Sequence, residues 1–465
     1  MYNLTLSLGA DEKVALYEQI YRMFVREIQN GRLRPGERVP SKRALCGHLG
    51  VSRSTVETAY QILVAEGYLN ARERSGYYVS DFVAVGSAGP EAFAVSIEGC
   101  AETPVTEPKA GPDFSTASVD VSMFPYSSWA KLYKEVVSDS PALLQLGERQ
   151  GDLGLRKALT VFLKEYRGVK CIPEQIVVGA GMEYLTGLLL RLFPRDTVFG
   201  VEDPGYAGFA QTLQAMGRKA RFLRQDSEGL CVGELEQSDA SVAYITPSHQ
   251  FPLGLTMPAS RRSRLLRWAA GQTGRYLIED DYDSEFRYTS RTIPALQGMD
   301  ATGCVIYLGT FSRSLAPAIR AAYMVLPPPL LERYRELPGY RRSTVSRYEQ
   351  AVLTRFLAEG YYSRYLHRVG NLYRGRRAAL VAALEEIPEV TITGSGGGLH
   401  FLLTHSRLSE EELLARAGAE GIILRGLSAY CRECVPQPST LVVGYGGLRD
   451  GEIGTAVQSL LCAWK

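Results

Sequence analysis

The first eighty residues carry apolar positions at helical spacing, interrupted by serine and glycine. Ser41 precedes a second, short run that ends at Gly50, and Ser52 precedes a third; serine is a preferred helix N-cap. Three helices are therefore predicted. The apolar face of the first consists of residues four apart, Leu16, Ile20, Phe24 and Ile28. The buried face of the third is predicted to be Val56, Ala59, Tyr60 and Leu63.

A hairpin signal follows these helices. Two short apolar runs, 68–69 and 77–79, flank a turn at 74–76, which predicts a β-hairpin with Arg72 and Arg74 at its tip. Two short helices joined by a tight glycine-containing turn, the second polar at its start, are typical of a helix-turn-helix. We therefore expect a winged helix-turn-helix domain over residues 1–82.

Beyond residue 82 the pattern changes twice. Residues 83–112 are rich in Gly, Ala, Ser, Pro, Glu and Thr without periodicity, which is typical of a flexible linker. From Asp113 onward short apolar runs alternate with helical stretches, which predicts an α/β domain with a mostly parallel sheet. We expect a large domain over about 130–340, long helices over about 340–384, and a small domain over about 380–465. The predicted strands include residues 176–178, 197–199, 241–245, 276–278 and 304–308.

Composition narrows the class of protein. The 465 residues are 45% hydrophobic and 22% charged, which is ordinary for a globular protein and excludes a fibrous or wholly disordered one. Because 52 basic residues face 50 acidic ones, any nucleic-acid site must be a local patch. Residues 1–11 do not resemble a signal peptide, and no apolar run approaches the ~18 residues of a membrane helix.

The eight cysteines are scattered, which favours a reduced, cytoplasmic protein. Cys431 and Cys434 form an isolated CxxC. A zinc or redox role is one interpretation, but two ordinary thiols are favoured, and no metal site is predicted.

The start of the third predicted helix suits DNA. Small hydroxyl residues there let backbone N–H groups approach a phosphate, Arg53 can contact a guanine edge with two hydrogen bonds, and Arg43 can hold a phosphate. The alternative is a small three-helix domain whose polar face is merely solvated.

The whole segment resembles the winged-helix domain of the GntR family, including LRPGERVPSKR at 33–43 and GVSRSTV at 50–56. This resemblance implies DNA binding. Glu57 departs from it, since some relatives have a basic residue there. The DNA-binding residues implied by the resemblance are Arg43, Ser52, Arg53, Ser54, Thr55 and Gly76.

Motifs with candidate chemistry follow the predicted strands of the larger domain. Asp280 and Tyr282 stand two residues apart at the carboxyl end of a strand, where α/β proteins bind ligands. A glycine turn at 179–181 precedes a helix and can hold a phosphate through backbone amides, although a plain strand-to-helix turn is the commoner cause. His249 could be a cavity wall or a core residue. The motifs span residues 179–183, 202–206, 246–254, 278–286 and 309–317.

Together these motifs resemble the fold-type I aminotransferases that use pyridoxal 5′-phosphate, and specifically the MocR-type regulators, in which a GntR domain precedes such a module. FPYSSW at 124–129 and GGGLH at 396–400 belong to the resemblance. It implies that Asp280 pairs with the pyridinium nitrogen, Tyr282 contacts the ring phenolate oxygen, and Tyr206 stacks near the ring. The residues implied to hold the phosphate are Gly181, Thr310, Ser312 and Arg320.

Arg313 is the main departure. The family pattern at 310–313 ends in the lysine that forms the Schiff base, and a guanidinium with a pKa above ~12 does not react in this way. Residues 220–464 contain no lysine that could replace it. Met182 stands where a polar phosphate contact is common, and residues 440–448 lack an arginine for a substrate carboxylate.

We therefore predict a DNA-binding transcriptional regulator whose aminotransferase-like domain senses a small ligand, with pyridoxal 5′-phosphate a candidate bound noncovalently. The resemblance also implies a homodimer. One alternative is an active aminotransferase with a vestigial N-terminal domain, against which Arg313 counts. A narrower alternative is a regulator that has lost the cofactor and binds another anion or only dimerises.

Overall fold

The computed structural model describes residues 14–73, 75–81, 111–288, 294–339, 342–387 and 389–464. The chain divides into two compact units, Met1–Thr106 and Glu107–Lys465, which are described separately below. Residues 83–110 of the predicted linker lie outside the described residues, as does Arg74. The predicted boundaries at 82 and 113 therefore stay predictions.

The N-terminal unit is a three-helix domain with a hairpin. Ser41 Oγ accepts a hydrogen bond from the Ala44 N–H at 3.2 Å, and Ser52 Oγ accepts one from the Thr55 N–H at 3.2 Å, so both predicted caps are confirmed. The elements are α1 (Leu16–Gln29), α2 (Lys42–Leu49), α3 (Arg53–Ala65), β1 (Leu69–Arg72) and β2 (Gly76–Val79). The two strands pair antiparallel, as the hairpin pattern predicted.

The core of this unit follows the predicted faces with one exception. The predicted face of α3 is buried, and so are Ile20, Phe24 and Ile28 on α1. Leu16, on the same apolar face, is 47% exposed. It is the first residue of α1, at the end of the apolar face, and a helical period alone does not indicate where the packing partner stops.

The second unit contains a large mixed sheet. Its strands are β3 (Ile176–Gly179), β4 (Val198–Asp203), β5 (Lys219–Asp226), β6 (Gly229–Leu230), β7 (Val242–Ile245), β8 (Tyr276–Asp281), β9 (Val305–Thr310) and β10 (Ala322–Val325). The strand order is β3-β10-β9-β8-β7-β4-β5-β6. The pairs β9–β8, β8–β7, β7–β4 and β4–β5 are parallel, whereas β10 runs antiparallel to both of its neighbours.

Most strands of this sheet are buried along their whole length, which explains their uninterrupted apolar sequences. The predicted mostly parallel α/β sheet is therefore confirmed. The accompanying helices are α4 (Tyr126–Asp139), α5 (Leu153–Arg167), α6 (Met182–Leu190), α7 (Ala207–Ala215), α8 (Val232–Gln237), α9 (Ala259–Ala270), α10 (Leu296–Met299) and α11 (Pro328–Glu336).

Two long helices lead to a smaller sheet at the carboxyl end. They are α12 (Arg347–Ala358) and α13 (Tyr361–Glu385), within the range predicted to be helical. The smaller sheet is antiparallel with the order β11-β12-β14-β13. Its elements are β11 (Val390–Thr393), β12 (His400–His405), α14 (Glu410–Ala419), β13 (Arg425–Gly426), β14 (Thr440–Gly444) and α15 (Ile453–Trp464). None of the helices in the described ranges combines the length and the apolar character needed to cross a bilayer.

Candidate functional site

A cavity of about 660 Å³ opens at the carboxyl edge of the large sheet. Because β4, β7, β8 and β9 are parallel, the residues that follow them meet at this edge. Seven of the eight predicted cofactor residues line the cavity: Tyr206, Asp280, Tyr282, Thr310, Ser312, Arg313 and Arg320. The eighth, Gly181, directly precedes the lining residues Met182 and Glu183 at the start of α6.

Asp280 places a carboxyl group in the buried wall of the cavity. One of its oxygens, Oδ2, accepts a hydrogen bond from the Tyr244 hydroxyl. The other, Oδ1, is buried without a hydrogen-bond partner among the described residues. Burial, together with the nearby carboxylates of Asp281 and Asp283, raises the pKa of Asp280 to about 7. The Tyr244 hydrogen bond and the Arg313 guanidinium act in the opposite direction. The site therefore offers an unpaired acceptor for a cationic N–H.

Tyr282 lies beside Asp280 but points its hydroxyl toward His249. The hydroxyl donates to the His249 carbonyl oxygen at 2.9 Å and lies 3.1 Å from Nδ1 of the same residue. His249 Nδ1 is 3.0 Å from Asp283 Oδ2. His249 is buried and is not among the residues that line the cavity, so of its two alternatives the structure shows the core residue. From this position it holds Tyr282.

The opposite end of the cavity is a helix N-terminus with an arginine. Gly181 has a φ of +93°, and a Cβ there would stand 2.7 Å from the Arg320 guanidinium. Arg320 itself pairs with Glu183 at 2.7 Å. Its guanidinium lowers the pKa of Glu183, although partial burial works in the opposite direction. The first-turn amides of α6 and one arginine thus converge where the sequence predicted a phosphate site.

Two hydroxyl residues continue this end of the cavity. Thr310 Oγ1 accepts a hydrogen bond from the Ser312 N–H at 3.1 Å, which fixes the turn after β9. Tyr206 lies on the side of β4, with its ring 6.1 Å from that of Phe251 in an edge-to-face arrangement. All three side chains line the same cavity as Asp280.

Arg313 occupies the position of the family lysine on the loop after β9. It is half-buried, and its Nη1 donates a hydrogen bond to the backbone carbonyl oxygen of Thr116. Thr116 also lines the cavity, although it lies 197 residues earlier in the chain. The guanidinium therefore connects the loop after β9 to the first described segment of this unit.

The N-terminal unit carries a separate candidate site, the exposed start of α3. Arg43, Ser52, Arg53 and Ser54 are exposed, and Thr55 is half-buried. Glu57 pairs with Lys42 at 2.5 Å, which gives this departure from the family pattern a structural role between α2 and α3.

The wing has its own basic residues. Gly76 has a φ of +112°, and a Cβ there would lie 3.4 Å from the Arg38 guanidinium. Arg72 stacks over the Tyr78 ring at 4.5 Å. The positive φ favours glycine at this position, whereas a Cβ would make only an ordinary contact with Arg38.

The CxxC loop has a carboxylate bound to its backbone. Asp203 accepts hydrogen bonds from the N–H groups of Arg432, Glu433 and Cys434 at 2.7–2.9 Å, and the Cys434 thiol lies 3.3 Å from Asp203 Oδ1. Burial raises the pKa of both thiols. This arrangement fits two ordinary thiols, the favoured interpretation.

Among the residues that the structure describes, two groups of side chains are close enough to share a metal ion: Asp203 with Cys431 and Cys434, and His249 with Asp283 and His400. In both groups the acidic side chain already accepts hydrogen bonds from the chain. The prediction of no metal site stays a prediction.

Sequence reasoning missed four contact residues: Thr116, Glu183, Tyr244 and Arg38. Each contacts a predicted site residue from a distant part of the sequence. A signal existed for Glu183, which stands inside the glycine motif next to the predicted phosphate turn, and for Arg38, which stands inside the LRPGERVPSKR stretch.

Comparisons with known proteins support both halves of this description. A family model described as bacterial regulatory proteins of the gntR family matches residues 16–79. The chain is 36% identical over 471 residues to the HTH-type transcriptional regulator YdeL of Bacillus subtilis, with all of both chains covered. It is 32% identical over 475 residues to the probable rhizopine catabolism regulatory protein MocR of Rhizobium meliloti, covering 99% of this chain and 96% of that one.

A further relative is the pyridoxine biosynthesis transcriptional regulator PdxR of Corynebacterium glutamicum, 32% identical over 428 residues, which covers 92% of this chain and 91% of that one. Among solved structures, the kynurenine aminotransferase of Pyrococcus horikoshii matches 76% of this chain and 90% of its own, with a TM-score of 0.67 and 24% identity. This likeness shows the fold of the second unit. The chain belongs to the MocR-type transcriptional regulators, in which a GntR-type DNA-binding domain precedes an aminotransferase-like domain.

Proposed function

We propose that the regulator senses pyridoxal 5′-phosphate, held noncovalently in the cavity at the carboxyl edge of the large sheet. The observation that carries the proposal is the buried, unpaired Oδ1 of Asp280. An aromatic nitrogen cation is the partner that such an oxygen lacks, since a buried acceptor without a hydrogen bond costs free energy. When bound, the cofactor would supply a pyridinium and an aldehyde to this wall.

The phosphate end of the cavity supports the same ligand. The first-turn amides of α6 and the Arg320 guanidinium would hold the phosphate, with the hydroxyls of Thr310 and Ser312 beside them. Arg320 now pairs with Glu183, so binding would exchange one anionic partner for another. Tyr206 and Tyr282 would flank the ring, although the Tyr282 hydroxyl now contacts His249.

The side chain at position 313 favours a sensor over an enzyme. A guanidinium stays protonated and cannot form the covalent link that transamination needs. The side chain is also tied to the Thr116 carbonyl. The alternative of an active aminotransferase therefore has no residue in the described cavity to carry its first step.

Borohydride reduction followed by mass spectrometry tests the mode of binding. We expect pyridoxal 5′-phosphate to bind in equilibrium dialysis, to wash out, and to leave no adduct within the lysine-free stretch 220–464. Asp280→Asn should weaken binding by about tenfold or more, the loss of one charge-assisted hydrogen bond. Arg313→Lys is the matched control, and it should give an adduct at position 313.

An adduct of cofactor mass within 220–464 of the unaltered protein would contradict the noncovalent mode. If neither the unaltered protein nor Arg313→Lys binds the cofactor at millimolar concentration, the regulator that has lost its cofactor becomes the better interpretation.

The family and one surface feature support a homodimer. Apolar side chains are exposed along α4 and the loop that follows it, where a subunit would cover them: Tyr126, Val137, Leu144 and Leu146. In such a dimer two copies of the α3 face would contact an operator of two half-sites. Light scattering at micromolar concentration should give twice the chain mass of 51.2 kDa. A mass of one chain would overturn this part of the proposal.

A further inference from the structure

Residues 113–119 form a wall between two cavities. Asp113 and Ala117 line the cofactor cavity and also a second cavity of about 710 Å³ on the other side. Phe114 is buried in the core and anchors the start of this segment, whereas residues 115–119 are half-buried or exposed. The position of residues 115–119 therefore depends mainly on hydrogen bonds.

One set of these bonds fastens the segment to the smaller sheet. The Phe114 N–H donates to the Ile423 carbonyl oxygen at 2.9 Å, and the Phe114 carbonyl accepts from the Gly444 N–H at 2.8 Å. The Asp120 N–H donates to the Gly446 carbonyl at 2.7 Å. Both ends of the segment are thus hydrogen-bonded to the small domain.

The bond from Arg313 to Thr116 acts at the middle of the segment, from the side of the large sheet. It is a charge-assisted hydrogen bond with a half-buried cation, and such bonds are stronger than neutral ones. A lysine engaged with a cofactor could not make this bond at the same time. Arginine in place of the family lysine thus removes the covalent chemistry and at the same time attaches the segment to the cavity through Thr116.

We propose that the Arg313–Thr116 hydrogen bond is a latch: it holds residues 113–119 when the cavity is empty and breaks when a ligand binds. These residues follow directly on the predicted linker. A ligand oxygen, such as the aldehyde oxygen of the proposed cofactor, competes with the Thr116 carbonyl for the guanidinium. Binding then frees the middle of residues 113–119, which continue directly from the linker predicted at 83–112. The ligand dependence rests on the proposed function, whereas the latch itself joins two residues of this chain.

Amide hydrogen exchange of the full-length protein tests the latch. Without ligand, Arg313→Met should speed exchange at the Ser115 and Ser118 amides about tenfold, because one charge-assisted bond holding the segment is lost. These two amides donate hydrogen bonds within the segment, on either side of Thr116. Arg425→Met is the matched control. Arg425 is exposed and lines the same cavity, so this variant removes one guanidinium and leaves the Thr116 bond in place. It should exchange like the unaltered protein.

Addition of pyridoxal 5′-phosphate should speed the same two amides in the unaltered protein and add nothing in Arg313→Met. Equal exchange in Arg313→Met and the unaltered protein would overturn the latch. Unchanged exchange in a protein that dialysis shows to be loaded with cofactor would overturn its coupling to the ligand. A failure of the cofactor to bind would instead overturn the proposed function. The comparison of Arg313→Met with Arg425→Met in the absence of ligand would still test the latch.

Discussion

The two candidate sites of this molecule are built in opposite ways. The DNA-binding face is a run of neighbouring residues at the start of α3, exposed to solvent and held by the local cap of Ser52. The cavity is assembled from residues between 113 and 430, and its central carboxyl group is buried with one oxygen unpaired. The exposed DNA-binding face lowers the folding stability little. The cavity lowers it more, because the Asp280 Oδ1 is buried without a hydrogen bond from the described residues.

Because of this difference in burial, substitutions at the two sites should affect folding stability and ligand binding differently. A residue such as Arg53 can be exchanged with little effect on folding, because its side chain meets mainly water. Asp280 opposes folding until a ligand pairs with it. We therefore expect substitutions at the first site to change binding alone, and those at the second to change stability and binding in opposite directions.

The largest effect is expected from Asp280→Asn in the ligand-free protein. The folded-state pKa of about 7 lies above the value of 3.8 for an unperturbed carboxyl group. Below pH about 4 both states hold the proton and the group costs nothing. Between these values only the unfolded state is ionised, so stability falls as pH rises, and above pH 7 the penalty is complete. The variant should be more stable at pH 8 by about 4 kcal/mol, with little difference at pH 4.

Tryptophan fluorescence during urea denaturation measures this effect, because the three tryptophans, Trp129, Trp268 and Trp464, all lie in the second unit. Asp239→Asn serves as the control, since that carboxyl group is exposed and paired with Arg221. A variant no more stable at pH 8 than the unaltered protein would show that Asp280 is not a buried, ionisable group.

A smaller effect is expected from Arg53→Ala, at the DNA-binding face of α3. It should weaken operator binding by about 1–3 kcal/mol and reduce discrimination against altered operators, while the unfolding free energy changes by less than about 0.5 kcal/mol. Quantitative footprinting on operator variants measures both. Arg22→Ala, which removes an exposed arginine from α1, is the control. Unchanged operator affinity in Arg53→Ala would show that α3 is not the recognition helix.

The same contrast explains how much could be predicted from sequence. The caps at Ser41 and Ser52 and the hairpin were predictable because their bonds join residues close in sequence. The buried strands were predictable because both faces are apolar. In the cavity, the family resemblance supplied the residues at strand ends, among them Asp280 and Arg320.

The partners of those residues could not be predicted. Arg313 meets Thr116 across 197 positions, Arg320 meets Glu183 across 137, and Asp280 meets Tyr244 across 36. No periodicity links positions so far apart, since the contacts arise only when the sheet is assembled. The exposure of Leu16 could not be predicted either, because a helical pattern does not show where the packing partner of its apolar face ends.

The carboxylate bound to the CxxC loop has a consequence for anion selectivity. Three successive backbone N–H groups at 432–434 form a receptor of the kind that captures phosphate in other proteins, and Tyr430, just before them, lines the cavity. Asp203 fills that receptor from within the chain. These three N–H groups are therefore not available to a free anion, whereas the first turn of α6 lines the cavity itself. The chain thus neutralises one of its two anion-binding backbone turns with its own carboxylate.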